Sequence, residues 1–436
     1  MPEGKMTRRG ALGLSAVGVA AAIGVGVRAA RVGAQTSAAQ RGELLPLAGS
    51  DRRTEQLIEA SSPVLSDEEA PESGKLEDGR ALCLSGGGYR AMLFHVGGLL
   101  RLNEAGYLPT LARISCVSGG SITGGLLGLK WNTLRFGPSG KADNFDLEVV
   151  QPLTSLAAET IDVGSIVRGI LTPGTIAEKV AGFYRRYLFG DATLQALPPD
   201  PPRIVINATN VQSGALWRFM RPYMRDYKVG EVRNPTVSLA TAVAASSAFP
   251  PILSPLHLTL DPSLFTPGQE PLHKPPYTTD AFLTDGGVYD NLGLETAWKR
   301  YTTIFVSDGG GQMQPEETPA HNWISHSIRV NSLIDNQVRS LRKRQVVGSL
   351  EAAVRQGAYW GIRTDIQEYG SAAALECPHV KTLQLANIDT RLKHLDAAAQ
   401  RRLMNWGYAV ADAALRRYYD AALPRPRDFP FEGAVG

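Results

Sequence analysis

The chain has 436 residues, 43% of them apolar and 20% charged, enough to bury a large core in one big domain or two. Its formal charge is only +3, and the surplus sits at the N-terminus, where Lys5, Arg8, Arg9, Arg28 and Arg31 face Glu3 alone; the near-neutral remainder leaves no footprint for a nucleic-acid partner. The three cysteines argue against a disulfide framework, and Cys83 and Cys116, set in apolar strand-like runs, read as small buried hydrophobes.

Thr7-Arg8-Arg9 precedes an uncharged run from Gly10 to Val27 that is rich in Ala, Val, Gly and Leu, and Val32-Gly33-Ala34 then offers small residues suited to cleavage. The pattern predicts a twin-arginine-like export signal over residues 1–34, cut after Ala34, with a periplasmic or secreted product. An uncleaved membrane anchor is the alternative, although glycines and serines make this short run weakly apolar for a span. Residues 35–80 are polar and without period, and predict a linker. A compact domain is expected over 81–425, followed by a tail at 426–436.

Within that domain Ala81–Leu84 predicts a buried strand. Ser85-Gly86-Gly87-Gly88-Tyr89-Arg90 then turns into a helix from Ala91 to Ala105, which Gly106 ends. Gly97 and Gly98 each cost that helix about 1 kcal/mol against alanine, which implies close packing on their face. A second strand, Arg113–Val117, breaks at Ser118 and continues as a small-residue helix start, Gly119-Gly120-Ser121. Strand, helix and strand in so little chain imply a parallel pair with a right-handed crossover, so the glycine turn and Ser118 should share the carboxyl edge of one α/β sheet. Further on, helices are expected at Phe145–Thr160 and Ile176–Tyr187 and a strand at Arg203–Asn210 with a hairpin partner at Leu216–Phe219. A small-residue helix follows at Ser238–Ser246, and a proline-rich loop at Asp261–Pro276. Strands at Ala281–Thr284 and Thr303–Ser307 each end in Asp-Gly-Gly. Helices at Ile328–Gln345 and Ala397–Tyr418 flank a strand at Tyr359–Thr364.

Ser118 stands where a nucleophile elbow places its serine, on a sharp strand-to-helix turn that demands small neighbours. Gly120 fills the last place of G-x-S-x-G, whereas Cys116 fills the first, where glycine is usual. A serine hydroxyl needs a base for its proton and donors for the oxyanion formed on the carbonyl it attacks. Gly86, Gly87 and Gly88 offer backbone N–H donors at a helix N-terminus. The same glycines fit a dinucleotide-binding loop, but that fold wants an acid at the end of the next strand, and here that strand ends in Val117-Ser118. For the base, Asp285 and Asp308 both follow strands and precede glycines, and one of them must be an ordinary turn aspartate. His321 and His326 lie downstream and would permit a Ser-Asp-His order. His95, among apolar neighbours in mid-helix, reads as packing. Arg339, Arg342, Lys343 and Arg344 gather at one end of a helix and read as a solvated face, with contact to anionic lipid as the alternative. No metal or cofactor is indicated.

Three motifs together, Ser85–Arg90, Val117–Ser121 and Asp285-Gly286-Gly287-Val288-Tyr289-Asp290-Asn291, resemble the patatin-like phospholipases, nearest to the branch shared with cytosolic phospholipases. Ala245–Pro250 is similar to the family's alanine-serine-proline segment, Asp389-Thr390-Arg391-Leu392 precedes a last helix, and the order is kept from Ala81 to Tyr419. The resemblance implies a parallel-rich sheet flanked by helices, with the elbow after the second strand. It also implies a Ser–Asp dyad without histidine that cleaves acyl esters of lipids in the manner of a phospholipase A at a membrane surface. On it, Ser118 is the nucleophile, Asp285 the base and Gly86–Gly88 the oxyanion loop, with Arg90, Gly119, Gly120, Gly286 and Gly287 in support. Cys116 in place of glycine and Ser85 in place of the aspartate of many members are the departures. The alternatives are a triad esterase of the α/β-hydrolase type and a non-catalytic lipid-binding protein of the same shape.

Overall fold

The computed structural model describes residues 76–161, 175–199 and 201–436. The expected export signal or anchor at 1–34 and the linker up to residue 75 lie outside the described residues. The first strand, β1 (Glu77–Leu84), is followed by helix α1 (Gly88–Glu104), strand β2 (Leu111–Val117) and helix α2 (Gly119–Lys130). Thus the sheet starts four residues before the expected domain edge, because Glu77 already pairs with Tyr301 and its N–H donates to the Arg300 carbonyl.

After helical segments at Gln151–Ala157 and Ile176–Tyr184, strands β3 (Arg203–Asn210), β4 (Ala215–Phe219), β5 (Tyr223–Asp226) and β6 (Gly230–Arg233) follow, then helix α3 (Leu239–Ser246) and strands β7 (Leu256–Thr259) and β8 (Asp280–Asp285). The short helix α4 (Gly287–Asp290) leads towards β9 (Tyr301–Asp308), helix α5 (Trp323–Glu351), β10 (Gln356–Gly361) and helix α6 (Ala397–Tyr418). The sheet order is β10-β9-β1-β2-β3-β4-β5-β6, with β8 on β3 and β7 on β8. The strands from β10 to β3 are parallel, while β4 to β6, β7 and β8 are antiparallel, which makes the expected parallel-rich sheet a mixed one flanked by helices.

Both faces of the central strands are covered. Along β1, Leu82 and Leu84 enter one apolar cluster with α1, α2 and α6, whereas Ala81 and Cys83 enter another with Leu294, Trp298 and Val346. Helices α1 and α6 meet backbone to backbone: a β-carbon at Gly97 would lie 1.9 Å from the Met404 carbonyl oxygen, and one at Gly407 2.0 Å from that of Phe94. The packing benefit of that contact answers the propensity cost of Gly97. Residues 426–436, expected as a tail, pack onto α6, where the Asn405 side chain donates to the carbonyls of Phe431 and Ala434 and accepts from the Phe431 N–H.

The placement of β8 decides the site. On one edge, β3 pairs residues 206–210 with β4; on the other, it pairs residues 203–207 with β2, and where β2 ends it takes up β8, opposing Ala208 to Asp285. The strands β2 and β8 therefore occupy one lane beside β3 and meet end to end, with Val117-Ser118 arriving from one side and Asp285-Gly286 from the other.

Candidate active site

Ser118 closes β2 with φ 51° and ψ −117°, a conformation that L-residues rarely hold, and it is only 8% exposed. What holds it is a ring of short-range contacts. The Ser118 N–H donates to Ser246 Oγ at 2.9 Å, and Ser246 in turn donates to the Asn207 carbonyl at 2.6 Å and stands 2.8 Å from Ser121 Oγ. The two following glycines are required by close approach: a β-carbon at Gly119 would sit 2.3 Å from the Gly88 carbonyl oxygen, and one at Gly120 2.3 Å from that of Leu84. The elbow and the glycine turn before α1 are thus pressed together at the sheet edge.

Asp285 is 2% exposed and lies near enough to the Ser118 hydroxyl for that group to lower its pKa. Its Oδ1 also accepts from the Gly287 N–H at 2.7 Å. Burial pushes its carboxyl up from 3.8 to about 7; the Gly287 hydrogen bond and the nearby Ser118 hydroxyl pull the other way, and the charge of Asp335 on α5 adds to the rise. The backbone of this turn is pinned to the end of α3, with the Asp285 N–H on the Ala248 carbonyl at 3.0 Å and the Gly286 N–H on that of Ser246 at 3.2 Å. The Ala245–Pro250 segment therefore ties the turns that carry Ser118 and Asp285 to one another.

The donors fall somewhat differently from expectation. The Gly86 N–H is spent on the Asn291 carbonyl at 3.0 Å, so Gly86 supplies closeness and not a donor. A β-carbon there would meet Asn291 Oδ1 at 2.4 Å and Ser118 Cβ at 3.1 Å. Among the described residues, the amides of Gly87, Gly88 and Gly119 have no acceptor and lie at the N-termini of α1 and α2. Gly119, the residue after Ser118, thus offers a free N–H beside those of the glycine turn, and its position in the elbow motif was the signal for it.

Arg90 is buried and braces the turn. It donates to the Gly309 carbonyl at 3.2 and 3.3 Å and to that of Ile388, while burial and the neighbouring Arg363 and Arg339 lower its pKa to about 10. Ser85, in the place of the aspartate, accepts the Gly309 N–H at 2.9 Å. Cys116 is buried, and burial pushes its thiol far up; it fits because Gly124 on α2 leaves room, since a β-carbon there would come within 2.1 Å of the sulfur.

The remaining candidates fall away from the pair. Asp308 accepts the Gly310 N–H at 2.9 Å and the Tyr359 hydroxyl at 2.7 Å at the end of β9, which makes it the ordinary turn aspartate. His321 and His326 are exposed around the start of α5. His95 is buried between Ser307 Oγ at 2.7 Å and the Ser85 carbonyl at 2.8 Å, and burial lowers it to about 4, so it packs as a neutral ring. Among the described residues no cluster suits a metal ion. Sequence reasoning missed Ser246 and Asn207 as struts of the elbow, and Asp335, which only tertiary packing brings near Asp285.

Residues 82–298 match the family model of the patatin-like phospholipases. Among solved structures the chain is similar to human GIVD cytosolic phospholipase A2, at 12% identity and a TM-score of 0.41 over 82% of this chain and 63% of that one. It is similar to the same human protein in complex with methyl γ-linolenyl fluorophosphonate at 14% identity and 0.44, covering 82% and 60%. VipD from Legionella pneumophila follows at 15% and 0.29, covering 80% and 69%. The chain thus spans about three-fifths of the human phospholipase chains it matches, and no curated protein matches it. With the mixed, helix-flanked sheet, the family match over the segment that carries both motif glycine turns, Ser118 and Asp285 shows that residues 82–298 belong to the patatin-like phospholipase family.

Proposed function

We propose that the chain is a lipid acyl hydrolase of the phospholipase A type, in which Ser118 is the nucleophile and Asp285 its base. The observation that carries this reading is the meeting of Ser118 and the buried Asp285 carboxyl at the abutting ends of β2 and β8, with burial raising the Asp285 pKa to about 7. A carboxylate near 3.8 is a feeble base, whereas one near the working pH balances availability against proton affinity. Ser118 Oγ attacks the ester carbonyl carbon as its proton passes to Asp285. The oxyanion is held by the free amides of Gly87, Gly88 and Gly119. Collapse expels the alcohol, which takes the proton from Asp285, and leaves the acyl group on Ser118. Water, deprotonated by the same carboxylate, then releases the fatty acid and restores the enzyme. The exposure of His321 and His326 and the neutral, buried state of His95 leave the carboxylate as the base beside Ser118.

The test is covalent labelling with an alkyl fluorophosphonate, followed by hydrolysis of a phosphatidylcholine and a soluble 4-nitrophenyl ester. Wild type should label on Ser118 and release fatty acid, and Ser118→Ala should lose both. A label that persists in Ser118→Ala and maps to Ser115 or Ser121 overturns the assignment.

A further inference from the structure

Helix α5 runs for 29 residues, yet only Arg342, Val346 and Ser349 on it are buried. Its C-terminal half is anchored: the Arg342 guanidinium donates twice to Glu295 at 3.1 and 3.2 Å, in a buried pair. Further up, the body-facing side carries Asp335, paired with Arg339 at 3.1 Å, and Arg339 also donates to the Gly311 carbonyl in the loop after β9. That is the side whose charge reaches Asp285. The opposite side is bare. Trp323, Val330, Ile334 and Leu341 recur at helical spacing on one face and are 78%, 40%, 55% and 59% exposed. Val288, on the short helix α4 against which α5 packs, is half exposed as well.

From this we infer that the outer ridge of α5 is the surface on which the protein lies on an anionic lipid bilayer, with Trp323, Val330, Ile334 and Leu341 entering the boundary between headgroups and acyl chains. The inference rests on the lipid-hydrolase reading and adds to it the face that meets the substrate's aggregate. Charge selects the occupant. Between Trp323 and Gln345 the helix carries Arg329, Arg339, Arg342, Lys343 and Arg344 against Asp335 alone. Asp335 and Glu295 neutralise Arg339 and Arg342, and Glu316 pairs with Arg329. Arg344 remains exposed beside Leu341, with no carboxylate paired to it among the described residues, while Lys343 turns inward and sets its ammonium over the Tyr359 ring at 5.1 Å. An apolar ridge with an aromatic at one end and an unpaired arginine at the other, on a helix with five basic residues and one acidic, suits anionic headgroups. A second copy of the chain would instead bring an equally basic helix against it. The geometry is also economical: with the ridge in the interface, the side of α5 bearing Asp335, whose charge reaches Asp285, stays within about one helix diameter of the lipid from which an acyl chain must be drawn.

The experiment uses the full chain with Ser118→Ala, so that lipid is not consumed. All three native cysteines are buried, so an added Ile334→Cys can be labelled selectively with an environment-sensitive fluorophore. Vesicles of equal parts phosphatidylcholine and phosphatidylglycerol should shift its emission to the blue, and lipids brominated near the headgroup should quench it. Vesicles of phosphatidylcholine alone should leave it nearly unchanged, as should either vesicle for a label on Val211→Cys, in the exposed turn between β3 and β4. In co-sedimentation, the pair Ile334→Glu and Leu341→Glu should lower partitioning onto the anionic vesicles by about tenfold or more. An Ile334 label indifferent to anionic vesicles overturns the inference. So does one already shielded before lipid is added, or one that shifts with protein concentration alone, which would mark a seam for another segment or a second copy. Because binding is read without turnover, a failure of Ser118 labelling would sink the catalytic reading while leaving this one standing, and the reverse holds too.

Discussion

If Asp285 is held near 7 by burial, it weakens the fold at the pH where it works, and Asp285→Asn measures by how much. In the unfolded chain the carboxyl ionises near 3.8, and in the folded protein near 7. Between these values the folded state binds the extra proton. Stability contributed by this site is therefore full below pH 4, falls as pH rises towards 7, and is level above. At about 1.4 kcal/mol per pH unit, the full fall is roughly 4 kcal/mol, taken as an upper bound because the native turn relaxes around the charge. The amide of Asn does not titrate and keeps the oxygen that accepts from Gly287. The variant should therefore gain on wild type steadily from pH 4 to 7 in urea unfolding, by up to about 4 kcal/mol, while losing hydrolysis. Wild-type turnover of a soluble ester should rise with pH through about 7, as the base ionises. Asp335→Asn should move that midpoint down, because the Asp335 charge contributes to the rise. Parallel unfolding curves for wild type and Asp285→Asn across this range, with activity already full at pH 5, would refute a buried, raised carboxylate as the base.

Two further outcomes concern the elbow. Ser118 holds its positive φ against its own preference, so Ser118→Gly should be more stable than Ser118→Ala by about 1 kcal/mol or more in chemical denaturation, though both are inactive; equal stabilities would mean that the turn carries no strain. Gly124→Ala should be destabilising because its β-carbon runs into the Cys116 sulfur, and Cys116→Gly should rescue it; a double-mutant cycle giving a coupling below about 0.5 kcal/mol would show that the two do not share the space.

Much of this was legible because chemistry and local geometry coincide in the sequence. The elbow needs a strand, a serine and small residues within nine positions, and Arg113–Ser121 supplies them; α6 runs over Ala397–Tyr418 as its period predicts. The helices at Phe145–Thr160 and Ile176–Tyr187 are present but loosen into wider turns at Asp146–Val150 and Arg185–Phe189. The short strands β5, β6 and β7 went unseen, since four residues leave no period to read and their pairing is with partners that the turn signals do not announce. Strand direction was equally hidden. Ala281–Thr284 reads as a strand ending in Asp-Gly-Gly whether it runs with β2 or against it, and only the pairing with β3 decides.

That direction matters more for the chemistry than the number of strands does. In a purely parallel sheet, two strands that end at the same edge lie side by side, about 4.8 Å apart or a multiple of it, and their terminal side chains point along the same way out. Here β8 comes back along the lane that β2 vacates, so Ser118 and Asp285 meet at the two strand ends. The end-to-end meeting also explains why Gly286 is needed: a β-carbon there would strike the Asn207 carbonyl oxygen at 2.3 Å, where β3 passes both strand ends. A third group to relay the proton would have to enter a place already filled by Gly86, Gly287 and the Asn291 side chain. Head-on approach of the two strands is thus what brings Ser118 and Asp285 together beside β3.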